Sequence, residues 1–327
     1  MNKILETTKY VVENSKNVSI DHGEILEFCE YFKRGSAKHW WQDSPFDISD
    51  LEIENRLKFL LLFNAISFCY WAEPRWSQKT QSWYEPTWKI QFNKEKRNGA
   101  WGLITNLAKV LLNGRMKLDS RGWASMKRED LAGILNENGI EIPLFKERLR
   151  IVRELGEVLE DKFNGQVFNL INDSRGNALK LLNSVITNFP SFRDEEFYKG
   201  KKIYFYKRAQ LLVADICNNF DFKVKNFEQF TACADYKIPQ VLRRLKILKY
   251  SPELSRKVDQ KALLPRGSEE EIEIRANTIW AVEYIKEELK GIIPNIKSID
   301  INDYLWLEGQ KKSPADLPYH RTITTAY

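Results

Sequence analysis

The sequence predicts a mainly α-helical protein with one small β-hairpin near residues 82–92. Apolar residues recur at helical spacing along most of the 327-residue chain. Asn-Gly and Pro end several of these segments, and the strict alternation typical of strands occurs in one place only. Because no glycine- or serine-rich linker interrupts the chain, we expect a single domain over 1–327. A division into lobes would separate 1–130 from 131–327.

The predicted helices follow one another with short polar connections. The first follows Asp21, a suitable N-cap, and has Ile25 and Phe32 on one face. Ile53–Trp71 continues at the same period, and Trp101–Leu112 ends at an Asn-Gly pair. The later helices are predicted at 131–135, 144–163, 178–189, 204–220, 239–248, 272–289 and 301–307. Apolar and polar residues alternate over 82–92, and Glu85-Pro86 is predicted to form the turn of the hairpin.

Composition excludes several classes of protein. An aromatic content of 13% and a formal charge of +6 exclude a disordered chain. The basic residues are not gathered into blocks, which is weak evidence for nucleic-acid binding and predicts no stable nucleic-acid complex. Four separated cysteines and three histidines predict no metal site and reduced thiols in a cytoplasmic protein. The longest apolar run, 59–71, is too short to span a membrane.

The sequence around Asp235 makes its carboxylate a candidate catalytic group. It follows an apolar approach and precedes a helix that we expect Pro239 to begin, since proline suits the first helical position. The dipole of that helix favours the ionised carboxylate. An ordinary capping or turn aspartate has the same pattern.

One lysine, Lys207, shares a helical stripe with apolar residues that include Leu211 and Ala214. A lysine there either extends its amino group to solvent or points it into a pocket. The sequence contains no G-x-S-x-G, H-E-x-x-H, Walker or G-x-G-x-x-G pattern. This weakens hydrolase-triad, zinc-protease, NTPase and dinucleotide-binding interpretations.

Together these segments resemble the queuosine salvage family, whose members hydrolyse queuosine 5'-monophosphate to queuine and ribose 5-phosphate. The resemblance extends from about residue 55 to the end. It is carried by the stretches 189–194, 205–215, 234–240, 248–251, 271–275, 304–306 and 318–321, which include Tyr-Lys-Arg-Ala-Gln and Ala-Asp-Tyr-Lys-Ile-Pro-Gln. It implies a helical fold similar to that of the helix-hairpin-helix DNA glycosylases.

The resemblance implies two catalytic residues and no cofactor. Asp235 matches the family's carboxylate, which would stabilise the oxocarbenium-like sugar and orient water. Lys207 matches a lysine of the same pocket, either as a nucleophile or as a group that holds the aspartate. Because position 7 of the base is carbon, protonation there cannot activate the leaving group, and this favours a closed pocket with aromatic walls.

Two further groups of residues are predicted to bind the nucleotide. The candidates for the base are Phe68, Trp71, Trp101, Asn64 and Ser67, although 64 and 67 depart from the family pattern, which has Asp and Asn there. The candidates for the 5'-phosphate are His320, Arg321 and, ranked lower, Arg275. Core packing of the aromatic residues and tethering of the C-terminal segment are the competing interpretations.

The sequence therefore favours a nucleotide N-glycosylase with a small-molecule substrate and no membrane association. A nucleic-acid-binding protein with a glycosylase-like helical fold is the alternative, and a helical scaffold without an active site is a third. A broad basic surface with steep salt dependence of binding would favour the second hypothesis.

Overall fold

The structure, a computed structural model, describes residues 2–32, 38–72, 75–78, 80–84, 88–92, 95–136, 140–220, 224–311 and 313–327. The predicted mainly helical class is confirmed. The helices are α1 Lys3–Asn14, α2 His22–Tyr31, α3 Ile53–Ile66, α4 Gly99–Leu112, α5 Ser120–Ala124, α6 Arg128–Leu135, α7 Phe145–Phe163, α8 Val167–Asp173, α9 Ala178–Asn188, α10 Lys207–Asn219, α11 Lys237–Arg244, α12 Pro252–Asp259, α13 Glu269–Leu289 and α14 Ser298–Gln310.

Short antiparallel strand pairs accompany these helices. The strands are β1 Val18–Ile20, β2 Arg75–Ser77, β3 Ser82–Tyr84, β4 Ile90–Phe92, β5 Glu95–Arg97, β6 Glu195–Tyr198, β7 Lys201–Tyr204 and β8 Leu248–Tyr250. They pair as β1 with β8, β2 with β3, β4 with β5 and β6 with β7. No described helix is both long enough and apolar enough to cross a membrane.

The chain forms two compact units that interleave along the sequence. Unit 1 contains residues 1–42, 193–322 and 326–327, and unit 2 contains residues 43–192 and 323–325. No linker composition marks the points where the chain passes from one unit to the other. The single domain over 1–327, with lobes 1–130 and 131–327, stays a prediction.

The long helix α13 forms the centre of unit 1. Helices α1, α2, α11 and α14 pack against it, together with the β1–β8 pair. Most α13 side chains are buried on all sides, including Glu271, Glu273 and Arg275. Charged side chains on a buried helix need partners within the fold, because an unpaired buried charge is strongly destabilising.

The turn of the β6–β7 hairpin leads the chain back towards α10. Glu195 pairs with Tyr204 and Tyr198 pairs with Lys201, so two residues, Lys199 and Gly200, close the turn. Both have positive φ, of 48° and 80°, as type I′ turns require. The predicted helix 204–220 therefore begins three residues late, because Tyr204 belongs to β7.

Unit 2 contains α3–α9. Helix α3 packs on α7 and α8, α5 packs along α7, and α4 packs on α6 and β4. The predicted continuation of α3 to Trp71 is wrong, because the helix ends at Ile66. Three residues later Cys69 has a positive φ of 26°, which an α-helix does not accommodate.

The predicted hairpin over 82–92 is also corrected. Strands exist at both ends of this segment, but β3 pairs with β2 on its N-terminal side and β4 pairs with β5 on its C-terminal side. Phe92 and Glu95 are register partners, so the second pair joins strands that are close together in the sequence, and such local pairing is entropically favourable. The predicted turn at Glu85-Pro86 lies outside the described residues.

Candidate active site

Lys207 is the first residue of α10 and lies in unit 1. The preceding residue, Tyr206, has a left-handed backbone with φ of 50° and acts as the N-cap. The backbone N–H of Lys207 donates to Asp194 Oδ2 at 3.1 Å. The side chain is 7% exposed, and no side chain or backbone atom of the described residues forms a hydrogen bond or ion pair with its amino group. A buried amine without a protein partner is typical of a group that meets a ligand.

Asp235 lies at the N-terminus of α11, as predicted. Its Oδ1 accepts from the backbone N–H groups of Lys237 at 2.7 Å and Ile238 at 3.1 Å. Helix α11 begins at Lys237, so the prediction that Pro239 is the first helical residue is wrong. Proline is tolerated at the third position because the first N–H groups of a helix have no intrahelical acceptor.

The two oxygens of the Asp235 carboxylate have different environments. The two backbone amides hold Oδ1, whereas no hydrogen bond to Oδ2 is present within the described ranges. The side chain is only 5% exposed. One oxygen therefore fixes the carboxylate, and the other can face a developing positive charge.

Cys233 marks the buried region that Lys207 and Asp235 share. Burial raises the pKa of its thiol; Lys207 opposes this shift, and the carboxylates of Asp303, Asp215 and Asp235 reinforce it. These four charged groups therefore act on the same buried sulfur. The structure thus brings together the two residues that the sequence identified as catalytic candidates.

Two further acids and a histidine in this region were missed by the sequence-based prediction. His39 Nε2 lies 3.5 Å from Asp215 Oδ1 and 3.6 Å from Asp303 Oδ2. Trp40 Nε1 donates to Asp215 Oδ1 at 2.9 Å, and Asn302 Nδ2 donates to Asp303 Oδ1 at 3.0 Å. Asp215 stands in a motif noted in the sequence, but no local signal distinguishes Asp303 from the other polar residues of α14.

Burial and neighbouring charges shift the pKa values of Asp303 and His39. Burial raises the pKa of Asp303 to about 7, and the Asp215 charge adds to the shift. Burial lowers the pKa of His39, but its contact with Asp215 and the charge of Asp303 outweigh this and raise it. Shifted acids of this kind cluster at functional sites. Within the described ranges, no group of three or more His, Cys, Asp or Glu side chains could hold a metal ion.

The base-binding candidates lie in unit 2. Asn64 is in the last turn of α3, where its Nδ2 donates to Leu60 O at 3.0 Å. Ser67 Oγ lies 2.9 Å from Tyr70 Oη, and Phe68 and Trp71 are buried in the same segment. Trp101 is half-buried in α4. Four of the five candidates therefore lie in one short stretch at the end of α3.

Arg148 of α7 holds the backbone of that stretch. Its guanidinium donates to the carbonyl groups of Phe68 and Cys69, and its Cζ lies 4.2 Å from the centre of the Phe68 ring. Burial lowers the pKa of Arg148 to about 10. One face of the Phe68 ring is thus covered by protein.

The phosphate candidates lie in unit 1 and have three different environments. His320 is 1% exposed, its Nε2 lies 3.0 Å from Tyr327 Oη, and its Nδ1 has no hydrogen-bond partner within the described part of the chain. Burial, together with the nearby Arg275 charge, lowers the pKa of His320 to about 3, so the ring is neutral at pH 7. Arg321 is half-buried.

Arg275, the third phosphate candidate, is fully buried. Its Nη1 and Nη2 donate to Asp194 Oδ1 at 3.0 Å and Oδ2 at 2.5 Å, and Glu271 lies at 3.5 Å. These carboxylates raise the pKa of Arg275 against the effect of burial. A bidentate carboxylate already satisfies its two terminal nitrogens.

Comparisons with known proteins agree with the resemblance in the sequence. The family model described as "Queuosine salvage protein" matches residues 48–327. The "Queuosine 5'-phosphate N-glycosylase/hydrolase" of Sphaerobacter thermophilus is 36% identical over 99% of this chain and 97% of its own. The proteins of the same name from Dictyostelium discoideum and Mus musculus are 31% and 30% identical. Their alignments cover 99% and 98% of this chain and 98% of each relative.

Proposed function

The chain belongs to the queuosine salvage protein family, and from this membership we propose that it hydrolyses the N-glycosidic bond of queuosine 5'-monophosphate. The products are queuine and ribose 5-phosphate. The observation that carries the proposal within the molecule is the shared buried region of Lys207 and Asp235, where an amino group and a carboxylate oxygen both lack a described protein partner. The family match over 48–327 supports the same activity.

The proposed reaction breaks the bond between C1' and the base nitrogen. The bonding electrons leave with the base, and positive charge develops on the sugar. Asp235 Oδ2 stabilises that charge while the two backbone amides keep Oδ1 in place. Water supplies the hydroxyl group that ends on C1' and the proton that ends on the base, so the reaction needs no redox partner.

Lys207 acts in one of two ways in this scheme. As a nucleophile it would form a covalent sugar adduct, and as an orienting group it would hold the substrate against Asp235. Borohydride added during turnover separates the two. A trapped adduct that disappears in Lys207→Ala establishes the covalent route, and its absence establishes the orienting role.

The proposal includes a subsite for each remaining part of the nucleotide. Asn64, Ser67, Phe68, Trp71 and Trp101 are proposed to contact the base. Arg321 and His320 Nδ1, which has no hydrogen-bond partner among the described residues, are proposed to contact the phosphate, where a neutral imidazole can still donate one hydrogen bond. Arg275 is the weakest phosphate candidate, because Asp194 occupies its terminal nitrogens.

The broader features of the proposal come from the sequence. They are a fold similar to that of the helix-hairpin-helix DNA glycosylases, activity without a metal or organic cofactor, and a cytoplasmic location. The alternative, a nucleic-acid-binding protein with a glycosylase-like fold, has no support from the names of the relatives, all of which denote an enzyme.

The deciding experiment is incubation of the purified protein with queuosine 5'-monophosphate, followed by chromatography. We expect equal amounts of queuine and ribose 5-phosphate. Asp235→Asn is the matched inactive control, since it changes one atom of the carboxylate and keeps an acceptor for the helix amides. Failure of the wild-type protein to release queuine contradicts the proposal. Equal rates of release by both proteins would instead leave the hydrolysis in place and assign the carboxylate role to a residue other than Asp235.

A further inference from the structure

The Arg275 guanidinium is held in one orientation at the centre of unit 1. Its Cζ lies 3.9 Å from the centre of the Phe205 ring and 4.7 Å from that of Tyr327. Asp194 binds both terminal nitrogens, and neither partner exceeds 2% exposure. A planar guanidinium between two rings and a bidentate carboxylate has little rotational freedom. The pair is therefore a rigid element.

The acidic partner of this pair also holds the start of α10. Asp194 Oδ2 accepts from the Lys207 backbone N–H at 3.1 Å. The Asp194 backbone carbonyl accepts from the N–H groups of Phe205 at 3.0 Å and Tyr206 at 3.3 Å. Three consecutive amides thus point at one residue. This arrangement stabilises the left-handed conformation of Tyr206, which is unfavourable for a non-glycine residue.

The basic partner also holds the chain that leads into Asp235. Arg275 Nε donates to the carbonyl oxygen of Ala234 at 3.3 Å. Asp235 is the next residue, and the amides of α11 fix its carboxylate. A single guanidinium therefore contacts the backbone beside one catalytic candidate directly and, through Asp194, the backbone beside the other.

We propose that the Arg275–Asp194 pair is a positioning device that sets the distance and orientation between Lys207 and Asp235. The inference rests on the proposed function, in which these two side chains act on the same sugar carbon. Arg275 serves here as a positioning residue and does not bind the phosphate. Only arginine has the geometry for the task, because it must reach both Asp194 oxygens and Ala234 O at once, whereas lysine has a single nitrogen.

The test is a comparison of kinetics and local stability in folded variants. The double variant Asp194→Leu/Arg275→Met, made in a Glu271→Gln background, removes all three buried charges together, and such replacements of buried ion pairs are often tolerated. Arg275→Lys retains the charge but loses the contact with Ala234, and it decides the question if the double variant does not fold. Circular dichroism establishes the folded fraction at the assay temperature.

The matched control is Glu273→Gln, two residues away on the same helix. Glu273 is equally buried, and its carboxylate binds Tyr198 Oη at 2.8 Å and the backbone N–H groups of Lys16 and Asn17. It therefore anchors α13 without contacting the chain beside Lys207 or Asp235. If the loss of a buried charge lowers kcat only by destabilising the fold, Glu273→Gln should lower kcat as well.

We call the Arg275–Asp194 pair the clamp, and Asp194→Leu/Arg275→Met and Arg275→Lys the clamp variants. We expect the clamp variants to lose ~10²-fold in kcat with KM changed by less than ~3-fold, because misplacement of the reacting groups by about 1 Å costs this much in rate. Glu273→Gln should retain kcat within ~3-fold. Amide hydrogen exchange should accelerate in peptides covering 204–212 and 233–240 in the clamp variants only. Two outcomes overturn the proposal: a folded clamp variant that retains kcat, or equal losses of kcat in Glu273→Gln.

Failure of the proposed function gives a different pattern. In that case the wild-type protein releases no queuine, while the exchange measurement still reports whether the pair fixes the two segments. If the wild-type protein releases queuine but hydrogen exchange at 204–212 and 233–240 is unchanged in the clamp variants, the positioning role of the Arg275–Asp194 pair is rejected and the proposed function is retained.

Discussion

At the scale of single residues, the Asp235 carboxylate combines a structural role with the chemical role that we propose for it. Its Oδ1 accepts two backbone hydrogen bonds at the start of α11, and its Oδ2 has no described hydrogen-bond partner. The structural role needs an acceptor oxygen, whereas stabilisation of an oxocarbenium ion needs negative charge. Asparagine has the shape of aspartate and keeps an acceptor oxygen but carries no charge, so Asp235→Asn separates the two requirements.

Asp235→Asn should therefore lower kcat by ~10²-fold or more while the protein stays folded and KM changes little. The asparagine oxygen can still accept from Lys237 and Ile238. The measurement is steady-state release of queuine, with thermal unfolding as the check on folding. Turnover within a few-fold of the wild-type value would assign the carboxylate role to another residue.

The proposed phosphate subsite leads to a second prediction at this scale. Contacts to the unreactive 5'-phosphate can orient the sugar against Asp235, so the monophosphate should exceed the nucleoside by ~10²-fold or more in kcat/KM. Arg321→Ala should narrow this ratio by harming the monophosphate far more than the nucleoside. Each charge-assisted hydrogen bond that is lost costs roughly 1.5–3 kcal/mol.

The neutral state of His320 gives the control for that experiment. Because burial lowers its pKa to about 3, His320 carries no charge that phosphate binding at pH 6–8 could sense. The preference for the monophosphate should therefore be independent of the titration of His320. Equal losses on both substrates in Arg321→Ala would remove the phosphate subsite and leave the glycosylase proposal intact.

At the scale of secondary-structure elements, the packing of α5 on α7 depends on one glycine. An ideal Cβ built at Gly156 of α7 would overlap the backbone nitrogen of Ala124 and the carbonyl oxygen of Ser120. Backbone atoms cannot move aside as the end of a side chain can. The close approach of these two helices therefore requires glycine at this position.

Gly156→Ala should destabilise the protein by about 1–3 kcal/mol, because the methyl group separates α5 from α7. The matched control is Gly133→Ala in α6, where the nearest atom to an added Cβ is the flexible guanidinium of Arg115, 3.8 Å away. That substitution should stabilise the helix by about 0.5–1 kcal/mol. Denaturant unfolding measures both changes, and a neutral Gly156→Ala would contradict the packing argument.

At the scale of the whole molecule, two buried groups oppose each other in the pH dependence of stability. Burial lowers the pKa of His320 to about 3, so the unfolded chain binds the extra proton between that value and 6.5. Burial raises the pKa of Asp303 to about 7, so the folded protein binds the extra proton between 3.8 and that value. As pH falls from 6.5, stability is lost through His320 and gained through Asp303.

Replacement of His320 should reveal its contribution to the pH dependence of the free energy of unfolding. Relative to His320→Gln, the wild-type protein should lose up to ~1.4 kcal/mol in the free energy of unfolding per pH unit as pH falls from 6.5 towards 4. The exposed His22→Gln variant is the control for loss of a histidine without burial. Stability curves that run parallel for wild type and His320→Gln would contradict the prediction.

The sequence by itself determined the helical class and the local setting of the catalytic candidates. Helical periodicity is a local property, so α7, α9 and α13 were predicted to within a few residues. The position of Asp235 before α11 also follows from neighbouring residues. The family resemblance identified the activity because its motifs are contiguous and need no tertiary information.

Only the tertiary structure decided what depends on residues far apart in the chain. Arg275 meets Asp194 across 81 positions, and this contact, invisible in either local motif, occupies the side chain that the sequence suggested for phosphate. The pairs 75–77 with 82–84 and 90–92 with 95–97 are local, and they were missed because alternation does not specify the partner of a strand. The neutral state of His320 and the burial of Asp215 and Asp303, by contrast, depend on residues far away in the chain. Desolvation and long-range pairing set these properties, and neither is encoded in a window of adjacent residues.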